Sequence, residues 1–162
     1  MERLKKITLQ QRRILLLLHI LFAAIMLGVQ VVFIILALTA SVTDDPDTLR
    51  SCYRIMHLLA DSSVRASTIG TTVTGIALSV LTSWGLFRYY WVIAKEALTL
   101  LAIGIGFIGL YEWTLRGLDD DGSLTVHHTW LMIGIALQTV SLIVMYVLSV
   151  WKPGGKRKAP AL

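Results

Sequence analysis

Apolar residues run from Ile14 to Ala40 (ILLLLHILFAAIMLGVQVVFIILALTA) without an Asp, Glu, Lys or Arg. A membrane-spanning helix needs about 20 such residues, so the run predicts a helix over about 14–41. The basic leader MERLKKITLQQRR gives it the polarity of a secretory signal. Such signals, however, have apolar stretches of about 7–15 residues and end in a small-residue cleavage site. This run is far longer, and a retained span is expected.

SVTDD then breaks the pattern, with Asp45 placed to cap a helix and Pro46 to occupy its first turn. The helix predicted there covers about 46–84. Only from about Val64 is it apolar enough for the bilayer interior, so its first turns are expected to project beyond the bilayer on the outer side. A third helix is predicted at about 89–115 and, after DDDGS, a fourth at about 125–151. Pro153, Gly154 and Gly155 stop that helix and leave a flexible basic tail over 152–162. The predicted fold class is all-α: one membrane-spanning four-helix bundle, antiparallel in up-down-up-down order.

Composition agrees with lipid as the solvent. The 162 residues are 56% hydrophobic and 15% charged, against about 25% charged in a soluble domain. A net charge of +5 is compatible with nucleic-acid binding, but the basic residues cluster just outside the apolar segments. Arg3, Lys5, Lys6, Arg12, Arg13, Arg88, Lys152, Lys156, Arg157 and Lys158 fall at the termini and the loop between helices two and three. The opposite side holds only Arg50, Arg54, Arg65 and Arg116, beside Asp44, Asp45, Asp47 and Asp119 to Asp121. The positive-inside rule puts both termini in the cytoplasm and disfavours nucleic acid as a partner. Cys52 is the single cysteine; it cannot form an internal disulfide and fits no metal-binding spacing.

Helices in lipid associate through small residues and interhelical hydrogen bonds. Ser67, Thr71, Gly75, Ser79 and Ser83 recur every four residues and predict a packing seam on helix two. Gly104, Gly106 and Gly109 spell GxGxxG, but no strand precedes them, so close packing is expected rather than dinucleotide binding. Gln30 and Gln138 lie near the middle of helices one and four, where an unpaired amide is costly, and each is expected to bond to a neighbouring helix.

Ionisable groups within spans warrant a functional hypothesis. An inner-side cluster is formed by His19, Arg88, Lys95 and Glu96. It could bind an anionic headgroup or a quinone oxygen, or relay a proton through imidazole. Alternatively Lys95 snorkels to the interface while His19 bonds a backbone carbonyl. An outer-side cluster contains Arg54, His57, Asp61 and Arg65 on one helix face, with Asp61 placed to pair with Arg65 and to reach His57. Glu112, Arg116, His127 and His128 approach the same level. His57 and His128 are the pair that depth would permit as axial ligands of a b-type haem. The imidazoles lack the further ligands of a zinc site, so no metal is assigned. No nucleophile elbow, HExxH, P-loop or CxxC occurs, and no catalytic residue is assigned.

The segment TSWGLFRYYWVIAKEALTL resembles the most distinctive stretch of a widespread bacterial family of small four-helix integral membrane proteins with no assigned activity. LLLLHILFAAIMLG and VLSVWKPGGKRK resemble the same family, so the likeness covers nearly the whole chain. It rests on His19, the inner turn Trp84-Gly85-Leu86-Phe87-Arg88, Lys95 and Lys152-Pro153. More distantly the chain is similar to membrane proteins of the copper-resistance D and cytochrome b561 type, in which histidines on neighbouring helices bind haem or metal. Helix three here contains no histidine. The resemblance implies a multi-pass protein of the bacterial plasma membrane.

The function expected is that of a non-enzymatic membrane protein acting as a homo-oligomer or as an accessory subunit of a membrane assembly. A haem- or quinone-binding redox protein is the alternative, and a small transporter is the second.

Overall fold

The computed structural model describes residues 7–82, 85–118 and 124–155, with the backbone alone for 124–127. Every regular element among these residues is helical: α1 Leu9–Val42, α2 Pro46–Leu81, α3 Tyr90–Arg116 and α4 Leu124–Trp151. Four helices are long and apolar enough to cross a membrane, the fourth counted from His128. The chain is accordingly a multi-pass membrane protein by length and composition. At 1.5 Å per residue, the 34 residues of α1 and the 36 of α2 reach about 50 Å, well beyond a hydrocarbon layer of about 30 Å.

Capping chemistry sets the ends. α1 begins five residues ahead of its apolar run because Thr8 and Gln11 form a capping box. Thr8 Oγ1 accepts from the Gln11 N–H at 3.2 Å, and Gln11 Oε1 accepts from the Thr8 N–H at 3.0 Å. At the start of α2, Asp45 accepts from the Thr48 N–H at 3.0 Å and from its hydroxyl at 2.5 Å, with Pro46 in the first turn. α2 stops at Leu81, and Thr82 is extended. Gly85, at φ +65, returns its N–H to the Ser79 carbonyl at 2.9 Å, a left-handed closure that favours glycine. Ser83 and Trp84 lie outside the described residues.

Two helices contain a π segment, Ala60–Val64 in α2 and Gly104–Leu110 in α3. Such insertions are rare and concentrate at functional sites. Here they lie side by side: a Cβ on Gly106 would stand 3.2 Å from Val64 Cγ1. Gly109 packs in the same way against the Trp113 ring, whereas Gly104 faces open space. Two of the three glycines of the GxGxxG run are therefore close-packing positions.

α1 packs on α2 and α4, and α3 packs on the same two helices. The interior divides at the π segments. Towards the end that carries Tyr53 it is an apolar cluster built on Phe33, Ala37, Met56, Ala60, Leu110 and Leu131. Towards the end that carries His19 the buried residues include Ser67, Thr68, Thr74, Gln138 and Ser141. The outside shows Leu17, Leu38, Val73, Leu100, Ile143 and Val150, a surface suited to hydrocarbon rather than water.

Candidate functional site

At the His19 end, α1 and α2 approach closely. A Cβ on Gly70 would meet the Phe22 ring at 2.6 Å, and one on Gly75 would meet His19 Cε1 at 3.2 Å. His19 Nδ1 lies 2.9 Å from Thr74 Oγ1. The Thr74 hydroxyl donates to the Gly70 carbonyl at 2.6 Å, so it accepts from His19 Nδ1–H. The neutral imidazole then keeps its free lone pair on Nε2. His19 thus bonds a side chain on α2, and the predicted seam holds it through Gly75. Ser67 turns back to the Ser63 carbonyl at 2.6 Å, Thr71 and Ser79 are half-buried, and Ser83 lies outside the described residues.

Lys95 points at α4. Its Nζ donates to Ser149 Oγ at 2.8 Å, and the Ser149 hydroxyl donates to the Met145 carbonyl at 2.8 Å. Among the described residues no hydrogen bond joins Lys95 to His19. Glu96 follows Lys95 on α3; it is half-buried, with Oε1 enclosed and unpartnered. Arg88 is exposed in the turn before α3. His19 and Lys95 share one end of the bundle but bond to different helices, α2 and α4.

At mid-bundle, Gln30 Nε2 donates to the Ile135 carbonyl and to Thr139 Oγ1, each at 2.9 Å. It ties α1 to α4. Gln138 is only 1% exposed and Thr68 only 2%, yet Gln138 Oε1 and Thr68 Oγ1 have no hydrogen-bond partner.

The Tyr53 end is organised by aromatic residues. His57 Nδ1 lies 3.2 Å from Thr114 Oγ1, and its ring centroid is 4.8 Å from that of Tyr111. The Arg65 guanidinium stacks 4.4 Å over the same Tyr111 ring and pairs with Asp61, a cation–π contact added to an ion pair. His57 bonds Thr114 on α3, while the Asp61 carboxylate pairs with Arg65. Arg116 and Glu112 pair at 3.6 Å, and Arg54 is exposed. His128 Nδ1 lies 2.9 Å from the Tyr53 hydroxyl, while His128 Nε2 is buried without a partner among the described residues. The His127 side chain lies outside the described residues. Among the described residues no three His, Cys, Asp or Glu side chains converge as a metal site.

Sequence reasoning missed Tyr53, Tyr111 and Thr114. Tyr53 stands four residues before His57, and Tyr111 and Thr114 stand one and two residues from Glu112, so a search for aromatic and hydroxyl residues around those candidates would have raised them. No family model matches the chain, and no curated protein or solved structure matches it.

Proposed function

We propose that this chain is a multi-pass protein of the bacterial plasma membrane, up-down-up-down with both termini in the cytoplasm, that works without catalysis by assembling with a second copy of itself. The Lys and Arg distribution supports the orientation, and the inner turn from Gly85 to Lys95 supports grouping it with the small four-helix family it resembles. One observation carries the assembly. Ala24 and Gly28, four residues apart on α1, both lie on the outer surface, and a Cβ on Gly28 would meet nothing within 4 Å. Glycine inside a helix costs about 1 kcal/mol relative to alanine, and packing within the bundle does not require it here. A small-xxx-small face in lipid lets another helix approach backbone to backbone. Flanked by exposed Leu21, Val31 and Ile35, it is self-complementary about a two-fold axis.

The test uses the sole cysteine. In a Cys52→Ser background, Gly28→Cys is expected to form a disulfide-linked dimer on mild oxidation in membranes, while Val73→Cys, exposed on α2, stays monomeric. Equal cross-linking at both positions, or none at Gly28→Cys, rejects the interface.

A further inference from the structure

We infer that the His19 half of the bundle is a water-holding vestibule, open at the end where His19 and Lys95 lie and closed at mid-bundle by the apolar cluster. It rests on the membrane placement proposed above and is independent of self-association.

Interhelical contacts fix the levels within the bundle. Phe22 sits against Gly70, His19 against Thr74 and Gly75, and Val64 against Gly106. Gln30 meets Ile135 and Thr139, and Thr99 meets Met145 Sδ at 3.6 Å. Between these ties Gln138, then Thr68 with Ser141, then Thr71, then His19 with Thr74 follow at steps of about one helical turn, roughly 5 Å each. Beyond Gln138 the interior includes Phe33, Met56, Ala60 and Leu131, all fully buried and apolar, with Thr114 buried nearer the far end.

The hydroxyls along this column are held in an unusual way. A threonine in a helix ordinarily silences its hydroxyl on the carbonyl four residues back. Thr39, Thr74, Thr99, Thr114 and Thr139 all do so, at 2.6 to 2.9 Å. Thr68, Thr71 and Thr72, which share one face of α2, leave their hydroxyl oxygens enclosed and unpartnered. For Thr68 a competitor is visible: Ser67 Oγ lies 3.3 Å from the Val64 carbonyl that Thr68 would use. Gln138 Oε1 adds an enclosed acceptor, and Glu96 Oε1 another near the mouth. Among the described residues, Thr68, Thr71, Thr72, Gln138 and Glu96 place five enclosed orphan atoms on the His19 side, against His128 Nε2 at the Tyr53 end and Arg65 Nε beside the π segment. Such groups need a partner that both donates and accepts, and water supplies it. The class of molecule this lining can take in place of water is a small neutral solute bearing hydroxyl or amide groups. His19 and Lys95, half-buried towards this end, are the ionisable groups such a solute meets there.

Thiol accessibility tests this in membrane vesicles of a Cys52→Ser background. Thr68→Cys and Ser141→Cys are read against Met56→Cys, and Leu86→Cys in the turn before α3 marks the side. The probe is silver ion, water-sized and membrane-impermeant, scored by protection from later alkylation. Thr68→Cys and Ser141→Cys are expected to be protected from the side that protects Leu86→Cys, at rates at least tenfold above Met56→Cys. Protection from the opposite side, or reaction of all three only after detergent denaturation, overturns the vestibule. If Thr68→Cys fails to fold, Ser141→Cys, a one-atom exchange, decides. A Leu86→Cys that reacts only from outside would reverse the proposed orientation and leave the vestibule standing.

Discussion

Substituting Gly70 by alanine sets two effects of known sign against each other. Alanine in a helix interior gains about 1 kcal/mol over glycine. The new Cβ, however, would stand 2.6 Å from Phe22 Cδ1 and Cγ, where carbon atoms prefer about 3.5–4.0 Å. The ring must therefore retreat by about 1 Å, and one turn away His19 is tied to Thr74 at 2.9 Å, so α1 cannot simply slide. Overpacking of this kind costs about 1–3 kcal/mol, and the net expectation for Gly70→Ala is a loss of about 0–2 kcal/mol. Gly28→Ala meets nothing within 4 Å and keeps only the propensity gain in the monomer. Unfolding of both variants in mixed micelles, followed by circular dichroism under conditions that keep the chain monomeric, should separate them by about 1–3 kcal/mol. If Gly70→Ala proves as stable as Gly28→Ala, the tight α1–α2 seam described above is wrong.

Gln30→Leu removes two interhelical bonds, and at about 0.6 kcal/mol for a typical bond in a bilayer protein the same unfolding assay should record a loss of about 1 kcal/mol. Gln138→Leu should change stability little if water partners its Oε1; a gain of about 1–3 kcal/mol, the relief of a dry unpaired group, would contradict the vestibule. The Thr48 hydroxyl and N–H hold the Asp45 carboxyl below its ordinary range. Its contribution to the start of α2 is then complete above the unfolded value of about 4 and is lost as pH falls through the lower folded value. The protection factor of the Thr48 amide, its exchange relative to the unstructured rate at the same pH, should fall only in that acid window, and Asp45→Asn should remove that step.

The long spans were legible because an unbroken apolar run declares its solvent. The Asp45–Pro46 start was legible because a cap is local chemistry. The early start of α1 was missed because Thr8 and Gln11 act through hydrogen bonds that hydropathy does not register. The π segments left no signal beyond the glycines at 104, 106 and 109. That His57 faces Thr114 depends on the register between α2 and α3, which spacing along one helix cannot anticipate. Gln30 followed the expectation for a buried amide, whereas Gln138 did not. What separates them is whether a carbonyl or hydroxyl of the next helix falls at the right height, which only interhelical register decides. Pairings such as Tyr53 with His128 and Lys95 with Ser149 join residues far apart in the chain and have the same origin.

The central claim is that α1 presents Ala24 and Gly28 to a second copy. Counting fluorophore bleaching steps on singly labelled protein diluted into lipid vesicles tests it most directly. Two-step traces are expected for the native chain and single steps for Gly28→Leu. Single steps for the native chain, or two-step traces that survive Gly28→Leu, would contradict it.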